Sequence, residues 1–146
     1  MNDLDCNPNK KYNIASGGND CSLKFWDIRN VSEPLLIMLD ESMWIKCVRF
    51  NNSYDQLLIT GSNGCCLKLW KALSASSLTI LKQDLELALN EGEEEKDNLI
   101  NTILHEDSIN GVEWSFSDPW IYVGISYNGN ISFNQVPHEE KYKILL

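Results

Sequence analysis

Two stretches of the chain nearly repeat each other. Gly17–Ile28 reads GGNDCSLKFWDI, and Gly61–Ala72, which starts 44 residues later, reads GSNGCCLKLWKA. Both begin with small and turn-forming residues, alternate apolar residues around a Lys, and reach a Trp. This order is typical of a tight turn that leads into a half-buried strand. The echo therefore predicts two copies of one β-hairpin, each belonging to a repeated structural unit.

A third copy follows at a different spacing. It covers Val112–Val136, VEWSFSDPWIYVGISYNGNISFNQV. Two sets of equivalent positions, which lie far apart within each copy, are spaced by 44 and then 64 residues: Cys6, Phe50 and Trp114, and Trp26, Trp70 and Asn134. Two separate positions that keep the same spacings indicate a shared register rather than chance.

Each copy reads as four short antiparallel strands joined by turns rich in Asn, Asp, Ser and Gly. The fourth strands are predicted at Pro34–Leu39, Leu99–Leu104 and Tyr142–Leu146. A four-stranded unit of about 44 residues is typical of a β-propeller blade. The sequence therefore predicts an all-β protein made of about three blades.

The longer second spacing places an insert between Ala72 and Leu99. Residues 74–98 hold seven acids and two lysines, which account for −5 of the net charge of −9. Leucines 81, 85 and 89 have the spacing of a short amphipathic helix, and the remainder is predicted to be a flexible acidic loop. Two interpretations stay open: a solvated loop, or a docking tail for a basic partner.

Charge and composition exclude several classes of function. The net charge of −9 argues against nucleic-acid binding, which needs a basic face. No apolar run approaches the length of a membrane span, and the N-terminus has no apolar signal region, so we expect a soluble intracellular protein without membrane insertion. Five cysteines without a C-x-x-C pair predict reduced thiols and no metal site.

Catalytic patterns are absent from the sequence. The chain has two histidines, and it has no nucleophile elbow, zinc-protease, phosphate-loop or dinucleotide motif. The acidic run NEGEEEKD lacks the alternating ligands of a calcium loop. We therefore predict that the protein is not an enzyme and that it binds no cofactor.

Two motifs point to a known family. Ser16–Asp27, SGGNDCSLKFWD, resembles the strand–turn–strand signature of WD-repeat proteins. His105–Trp114, HEDSINGVEW, resembles their Gly-His strand entry without the Gly. The resemblance implies WD40-type propeller blades at about 1–40, 41–104 and 105–146, with the acidic insert at about 74–98. The chain starts inside a first strand, which predicts a fragment of a larger propeller or a shortened gene model.

The resemblance also implies structural residues. WD repeats hold each blade with a buried His, Ser or Thr, Asp and Trp tetrad, because buried polar groups need partners. The matching positions are Ser16, Asp20 and Trp26 in the first copy, Thr60 and Trp70 in the second, and His105 and Asn128 in the third. The second copy has Gly64 at the Asp position, and the third has Gly124 and Asn134 at the hydroxyl and Trp positions. His105 is then a structural residue and not a catalytic base.

A narrower resemblance rests on WDIRN followed by EP, on DPW, on the Asn at the usual Trp position, and on the terminal KYKILL. These features look like the C-terminal part of the WD-repeat proteins that interact with the EARP and GARP vesicle-tethering complexes. The resemblance implies a non-enzymatic scaffold or adaptor whose partners are tethering-complex subunits. It also implies a cytoplasmic location, peripheral to endosomes and the trans-Golgi network, in endosomal recycling and Golgi retrograde transport.

Four residues near strand ends are candidate protein contacts: Arg29, Trp44, Lys46 and Trp120. The alternative for both tryptophans is packing against a neighbouring blade. WDIR, ending at Arg29, also resembles the W-D-x-R motif of substrate receptors that dock onto cullin–RING ubiquitin ligases, which is the second functional hypothesis. The alternative for Arg29 is a loop residue paired with a nearby acid. Blades left without neighbours should expose apolar faces, so we predict self-association, with two chains in a six-blade ring.

Overall fold

The computed structural model describes residues 1–40, 43–77 and 97–146. These residues form eleven strands in three antiparallel sheets and one short helix, which confirms the predicted all-β class. The strands are β1 (Asp3–Cys6), β2 (Asn13–Gly17), β3 (Ser22–Asp27), β4 (Leu36–Leu39), β5 (Ile45–Phe50), β6 (Leu57–Ser62), β7 (Cys66–Lys71), β8 (Asn98–Leu104), β9 (Ile109–Trp114), β10 (Ile121–Ser126) and β11 (Ile131–Gln135). Blade 1 is the sheet β1–β4, blade 2 is β5–β8, and blade 3 is β9–β11.

The second-to-third-strand hairpins have the same geometry in all three blades. Ser16 pairs with Lys24, Thr60 with Lys68, and the equivalent pair in blade 3 joins β10 to β11. Each turn holds one residue at positive φ in the same place: Cys21 at 59°, Cys65 at 62° and Gly129 at 86°. This left-handed residue lets the chain reverse within a tight turn, and glycine adopts it most readily.

The innermost strands β1, β5 and β9 run side by side in the same direction. The backbone amide of Val48 donates to Asp3 Oδ2 at 3.0 Å, and the indole of Trp114 donates to the carbonyl of Arg49 at 3.1 Å. The end at which these three strands begin is called the upper rim, and the end at which they finish is called the lower rim. Blades 1, 2 and 3 are therefore neighbours in chain order, as in a propeller.

Two apolar clusters fill the spaces between blades. The first, between blades 1 and 2, consists of Ala15, Leu23, Phe25, Met38, Ile45, Val48, Phe50, Leu58, Trp70, Ala72 and Ala75. The second, between blades 2 and 3, includes Ile59, Leu67, Leu69, Ile109, Val112, Trp114 and Tyr122. Each cluster combines one face of a sheet with the opposite face of the next, so the two central strands of the middle blade, β6 and β7, are buried on both sides.

The predicted fourth strand of blade 3, Tyr142–Leu146, is wrong. The segment forms helix α1 (His138–Leu145), with acidic residues in its first turn and Lys143 in its last, an order that favours the helix dipole. Glu140 lies 3.3 Å from the buried Lys71 Nζ, and Ile144 packs against the second cluster. The other two fourth strands form where expected. The helix predicted from leucines 81, 85 and 89 falls outside the described residues.

Candidate protein-interaction surfaces

Buried side-chain hydrogen bonds link the second and third strands of blades 1 and 2. The indole of Trp26 donates to Ser16 Oγ at 2.8 Å, and the indole of Trp70 donates to Thr60 Oγ1 at 2.8 Å. The two bonds are equivalent in the repeat. They place four of the predicted tetrad positions in contact pairs, and they join adjacent strands through groups that would otherwise be buried without partners.

Blade 3 makes the equivalent contact with different residues. Ser132 lies directly opposite Gly124 on the neighbouring strand, and its Oγ is 2.9 Å from His105 Nε2. The amide of Asn134 donates to the same Oγ at 3.0 Å. In blade 3 the hydroxyl therefore comes from β11 and not from β10, and the glycine opposite leaves room for it. Sequence reasoning missed Ser132, although the hairpin register pairs it with the one position that lacks the hydroxyl.

Asn128 does not join this network. Its side-chain oxygen accepts from Ser126 Oγ at 2.5 Å, and its amide nitrogen lies 3.3 Å from Glu106 Oε2. It therefore shapes the β10–β11 turn. Asp20 has a similar local role in blade 1, where Lys24 Nζ lies 2.6 Å away, and this hydrogen bond lowers the pKa of Asp20 to about 2.

A buried ion pair in blade 2 was not predicted. Lys68 Nζ contacts Asp40 Oδ1 at 2.5 Å, and both side chains are almost fully buried. Lys68 occupies the repeat position that Ser132 holds in blade 3, and Asp40 lies one residue before the position equivalent to His105. The same site in the repeat is therefore filled by a salt bridge in one blade and by a His–Ser pair in another.

In blade 1 a cavity of about 280 Å³ lies beside Ser16 and Trp26.

The upper rim exposes an aromatic and basic patch across blades 2 and 3. Trp44 precedes β5 and is 49% exposed. Lys46 Nζ donates to the Tyr127 hydroxyl at 3.3 Å and lies 4.4 Å from the ring centroid. Tyr127 and Met43 are exposed beside these residues. The upper-rim patch is the surface formed by Met43, Trp44, Lys46 and Tyr127.

The other two candidate contacts lie at the lower rim, so the four predicted residues do not form one surface. Trp120 is only 7% exposed, stacks on Tyr54 at 4.7 Å between ring centroids, and has Lys141 Nζ 5.3 Å from its ring centroid. This placement corresponds to the packing alternative. Arg29 donates to Asp27 from Nε at 2.9 Å and from Nη2 at 2.6 Å, as in the paired alternative.

Comparison with known proteins places these features in a family. The model for "WD domain, G-beta repeat" matches residues 1–27, 33–71 and 98–133, which together exceed half of the chain. The chain belongs to the WD40 family. The matched ranges are offset from the sheets by one strand, because 33–71 begins with β4 of blade 1 and 98–133 begins with β8 of blade 2. In the third copy, Asn134 stands at the usual Trp position and Ser132 supplies the hydroxyl.

Individual WD40 relatives are similar over the whole chain. EARP and GARP complex-interacting protein 1 of Homo sapiens is 44% identical over all of this chain, which covers 41% of the relative. EARP-interacting protein homolog of Gekko japonicus is 43% identical with the same coverage, and EARP-interacting protein 1 of Caenorhabditis elegans is 34% identical over 97% of this chain. The predicted resemblance is confirmed. The chain spans about two fifths of the length of the curated relatives it matches.

Among residues 1–40, 43–77 and 97–146, no three His, Cys, Asp or Glu side chains converge on a metal-sized site. All five cysteines are free thiols, and burial raises the pKa of the Cys47 thiol. In the same part of the chain, no helix has the length and apolar content that crossing a bilayer requires.

Proposed function

We propose that this chain is part of a non-enzymatic scaffold that acts with the EARP and GARP tethering complexes in endosomal recycling and Golgi retrograde transport. The observation that carries the proposal is the upper-rim patch, in which exposed Met43, Trp44 and Tyr127 side chains surround the half-buried Lys46 at strand ends of two packed blades. Exposed tryptophan, tyrosine and methionine side chains are enriched at protein interfaces. The names of the relatives supply the identity of the complexes.

The packing of blades 2 and 3 supports display of the patch on a rigid surface. Trp44 leads directly into β5 and its carbonyl accepts the amide of Asn63 at 3.0 Å, so its backbone is tied to the β6–β7 turn. Tyr127 follows β10, and its amide donates to the Ser108 carbonyl at 3.0 Å. Fixed backbones reduce the entropy lost when a partner binds. The location peripheral to endosomes and the trans-Golgi network would then come from the partner.

Affinity capture of tether subunits tests this function. The chain carrying Trp44→Ala and Tyr127→Ala should recover at least about tenfold less tether subunit than the unaltered chain, since each buried aromatic anchor contributes roughly 2 kcal/mol or more to an interface. Phe116→Ala is the matched control, because Phe116 is 97% exposed but lies at the lower rim. Equal recovery with the patch variant and the control, both folded by circular dichroism, would rule out the patch.

The ubiquitin-ligase hypothesis is not favoured by the arrangement of Arg29. Both of its hydrogen-bonding nitrogens face Asp27, and these bonds lower the pKa of Asp27 to about 2. A guanidinium engaged by its own chain is less available to an adaptor. Recovery of a cullin adaptor that disappears with Arg29→Ala, in the absence of any tether subunit, would replace the scaffold proposal.

We further propose that the open faces of blades 1 and 3 lead to self-association. Blade 3 exposes Ile125, Ile131 and Phe133, the last 78% exposed, at positions whose blade 1 and blade 2 equivalents are buried. Ile125 occupies the repeat position of Gly61, which packs against the next blade. A second copy of the chain therefore has to pack less closely against blade 3 than the neighbouring blades within one chain pack against each other. Light scattering should show dimers, increased by Ile125→Gly, whereas a monodisperse monomer for both proteins would contradict self-association.

A further inference from the structure

A basic cleft at the lower rim of blade 1 has no role in the proposed function. It has a volume of about 330 Å³ and lies between the β1–β2 turn and the β3–β4 loop. The lower-rim cleft is lined by Lys10, Lys11, Tyr12, Asn13, Asp27, Arg29 and Leu35. We propose that the lower-rim cleft binds an acidic peptide segment of a partner protein, with one apolar side chain of that segment seated against Leu35 and Tyr12.

The charge of the lower-rim cleft is opposite to that of the chain. Two lysines of a chain with net charge −9, Lys10 and Lys11, line this one cleft beside the Arg29–Asp27 ion pair. Asp27 is the only acid in the lining, and it is occupied by Arg29. Lys10 and Lys11 form no ion pair among the described residues. Clustered like charges repel one another, and an anionic ligand relieves this repulsion.

The cations are held in place before any ligand binds. The guanidinium of Arg29 lies 4.5 Å from the Tyr12 ring centroid, and Lys11 Nζ lies 5.4 Å from the same centroid. Asn7 Oδ1 accepts the backbone amides of Asn9 and Lys10, both at 2.8 Å. These contacts fix the turn, so a ligand does not have to order it, which lowers the entropic cost of binding.

The β1–β2 turn and the β3–β4 loop are also joined by a backbone hydrogen bond. The amide of Ile28 donates to the carbonyl of Tyr12 at 2.9 Å, and the amide of Asn13 donates to the carbonyl of Lys10 at 3.0 Å. The two walls of the cleft therefore keep a constant separation. A preformed concave site is the usual form of a ligand site.

Apolar surface in the cleft favours a peptide over a polyphosphate. Leu35 is 55% exposed, the Tyr12 ring is also exposed, and Ile28 and Val31 continue the apolar surface along the loop. Phosphate groups would gain nothing from this apolar surface. A segment that carries carboxylates and one apolar side chain satisfies both the lysines and Leu35.

Fluorescence anisotropy with an array of labelled acidic peptides tests the proposal. Each peptide has Asp and Glu residues around one central residue, which is Leu, Ile, Phe, Trp or Ser. At least one peptide with an apolar centre should bind the intact chain in a saturable way, about tenfold more tightly than the Ser peptide, as expected from burial of one apolar side chain. Binding should weaken as salt shortens the range of the lysine charges.

Variants separate the electrostatic and apolar contributions. Lys10→Glu combined with Lys11→Glu should weaken every peptide at least tenfold. Lys143→Glu, which reverses an exposed charge on helix α1, is the control and should leave the affinity unchanged. Leu35→Ser should weaken the apolar peptides to the affinity of the Ser peptide and should leave the Ser peptide unaffected.

Several results would overturn the proposal. These are the absence of salt-sensitive binding by any peptide, or equal affinity for the double-lysine variant and the control. Tighter, competing binding of a single-stranded oligonucleotide or of vesicles containing phosphatidylserine would assign the cleft to a different ligand. Binding that appears only after residues 80–95 are replaced by a Gly-Ser linker would make the acidic insert of the chain itself the occupant. None of these assays uses a tether subunit, so their outcome is independent of the upper-rim patch.

Discussion

Substitution of Gly61 by alanine tests the contact between blades 2 and 3. A Cβ atom at Gly61 would lie 2.5 Å from Ile109 Cγ2 and 3.1 Å from Val112 Cγ1. Both neighbours belong to β9, are β-branched, and are buried, so they have little freedom to move away. The added methyl group therefore has to separate the two blades or force an unfavourable rotamer.

The expected loss follows from overpacking of a well-filled core. Such insertions cost about 1–3 kcal/mol, a large part of the stability of a domain of this size. We expect the free energy of unfolding in urea to fall by that amount and the melting temperature to fall by about 3–10 °C. The measurement is equilibrium urea denaturation followed by tryptophan fluorescence, since Trp70 and Trp114 lie in the two inter-blade clusters.

Gly111→Ala is the matched control for this experiment. Gly111 also lies in a strand of the same interface region, but a Cβ atom there meets nothing within 4 Å. Alanine should leave stability unchanged or raise it by up to about 1 kcal/mol, because it restricts the unfolded chain.

A double-mutant cycle with Ile109→Ala identifies the clash itself. That substitution alone should cost about 2–5 kcal/mol through the cavity it leaves. In the Gly61→Ala background it should cost at least about 1 kcal/mol less, because it removes the atom that the new methyl group meets. Equal stability of Gly61→Ala and Gly111→Ala, or strict additivity in the cycle, would refute the close approach of the blades.

Four further substitutions test local features. Gly129→Ala places a Cβ atom in open space at a residue with positive φ, so it should lower the free energy of unfolding by about 1 kcal/mol in urea denaturation. Cys65→Gly, at the equivalent turn position, should not lower this free energy in the same assay. Thr60→Val leaves the buried indole of Trp70 without its acceptor and should cost about 1–3 kcal/mol in the same assay. Burial raises the pKa of Tyr122 from 10.0 to about 12; the unfolded chain therefore loses this proton first, and stability should fall by up to about 3 kcal/mol as pH rises from 10 to 12. Tyr122→Phe should remove that part of the decline, and an unchanged pH profile would contradict the burial argument.

The repeat pattern predicted most of the fold. Alternation of apolar and polar residues placed the eleven strands, and turn residues placed the hairpins, because both signals are local. It failed for α1, where KYKILL alternates like a strand. Two effects outweigh this alternation. Acidic residues in the first turn favour the helix, and Glu140 pairs with the buried Lys71, which lies 69 residues earlier in the chain.

The candidate protein contacts were predicted less well, because their exposure also depends on residues distant in sequence. Aromatic and basic residues near strand ends are equally compatible with a surface patch and with packing. Trp44 and Trp120 have similar sequence surroundings, yet one is half exposed and the other is stacked on Tyr54. Only the position of the neighbouring blade and of helix α1 distinguishes them.

The sequence by itself determined the blade: its length, its strand order, its hairpins, and the turn position that takes positive φ, since each depends on neighbours in the chain. The tertiary structure alone decided which polar groups meet, as in the Asp40–Lys68 pair and the His105–Ser132 contact. It also decided which rim each candidate residue occupies and where Lys10, Lys11 and Arg29 converge. These contacts join residues distant in sequence, and the sequence does not specify their separation until the blades have packed.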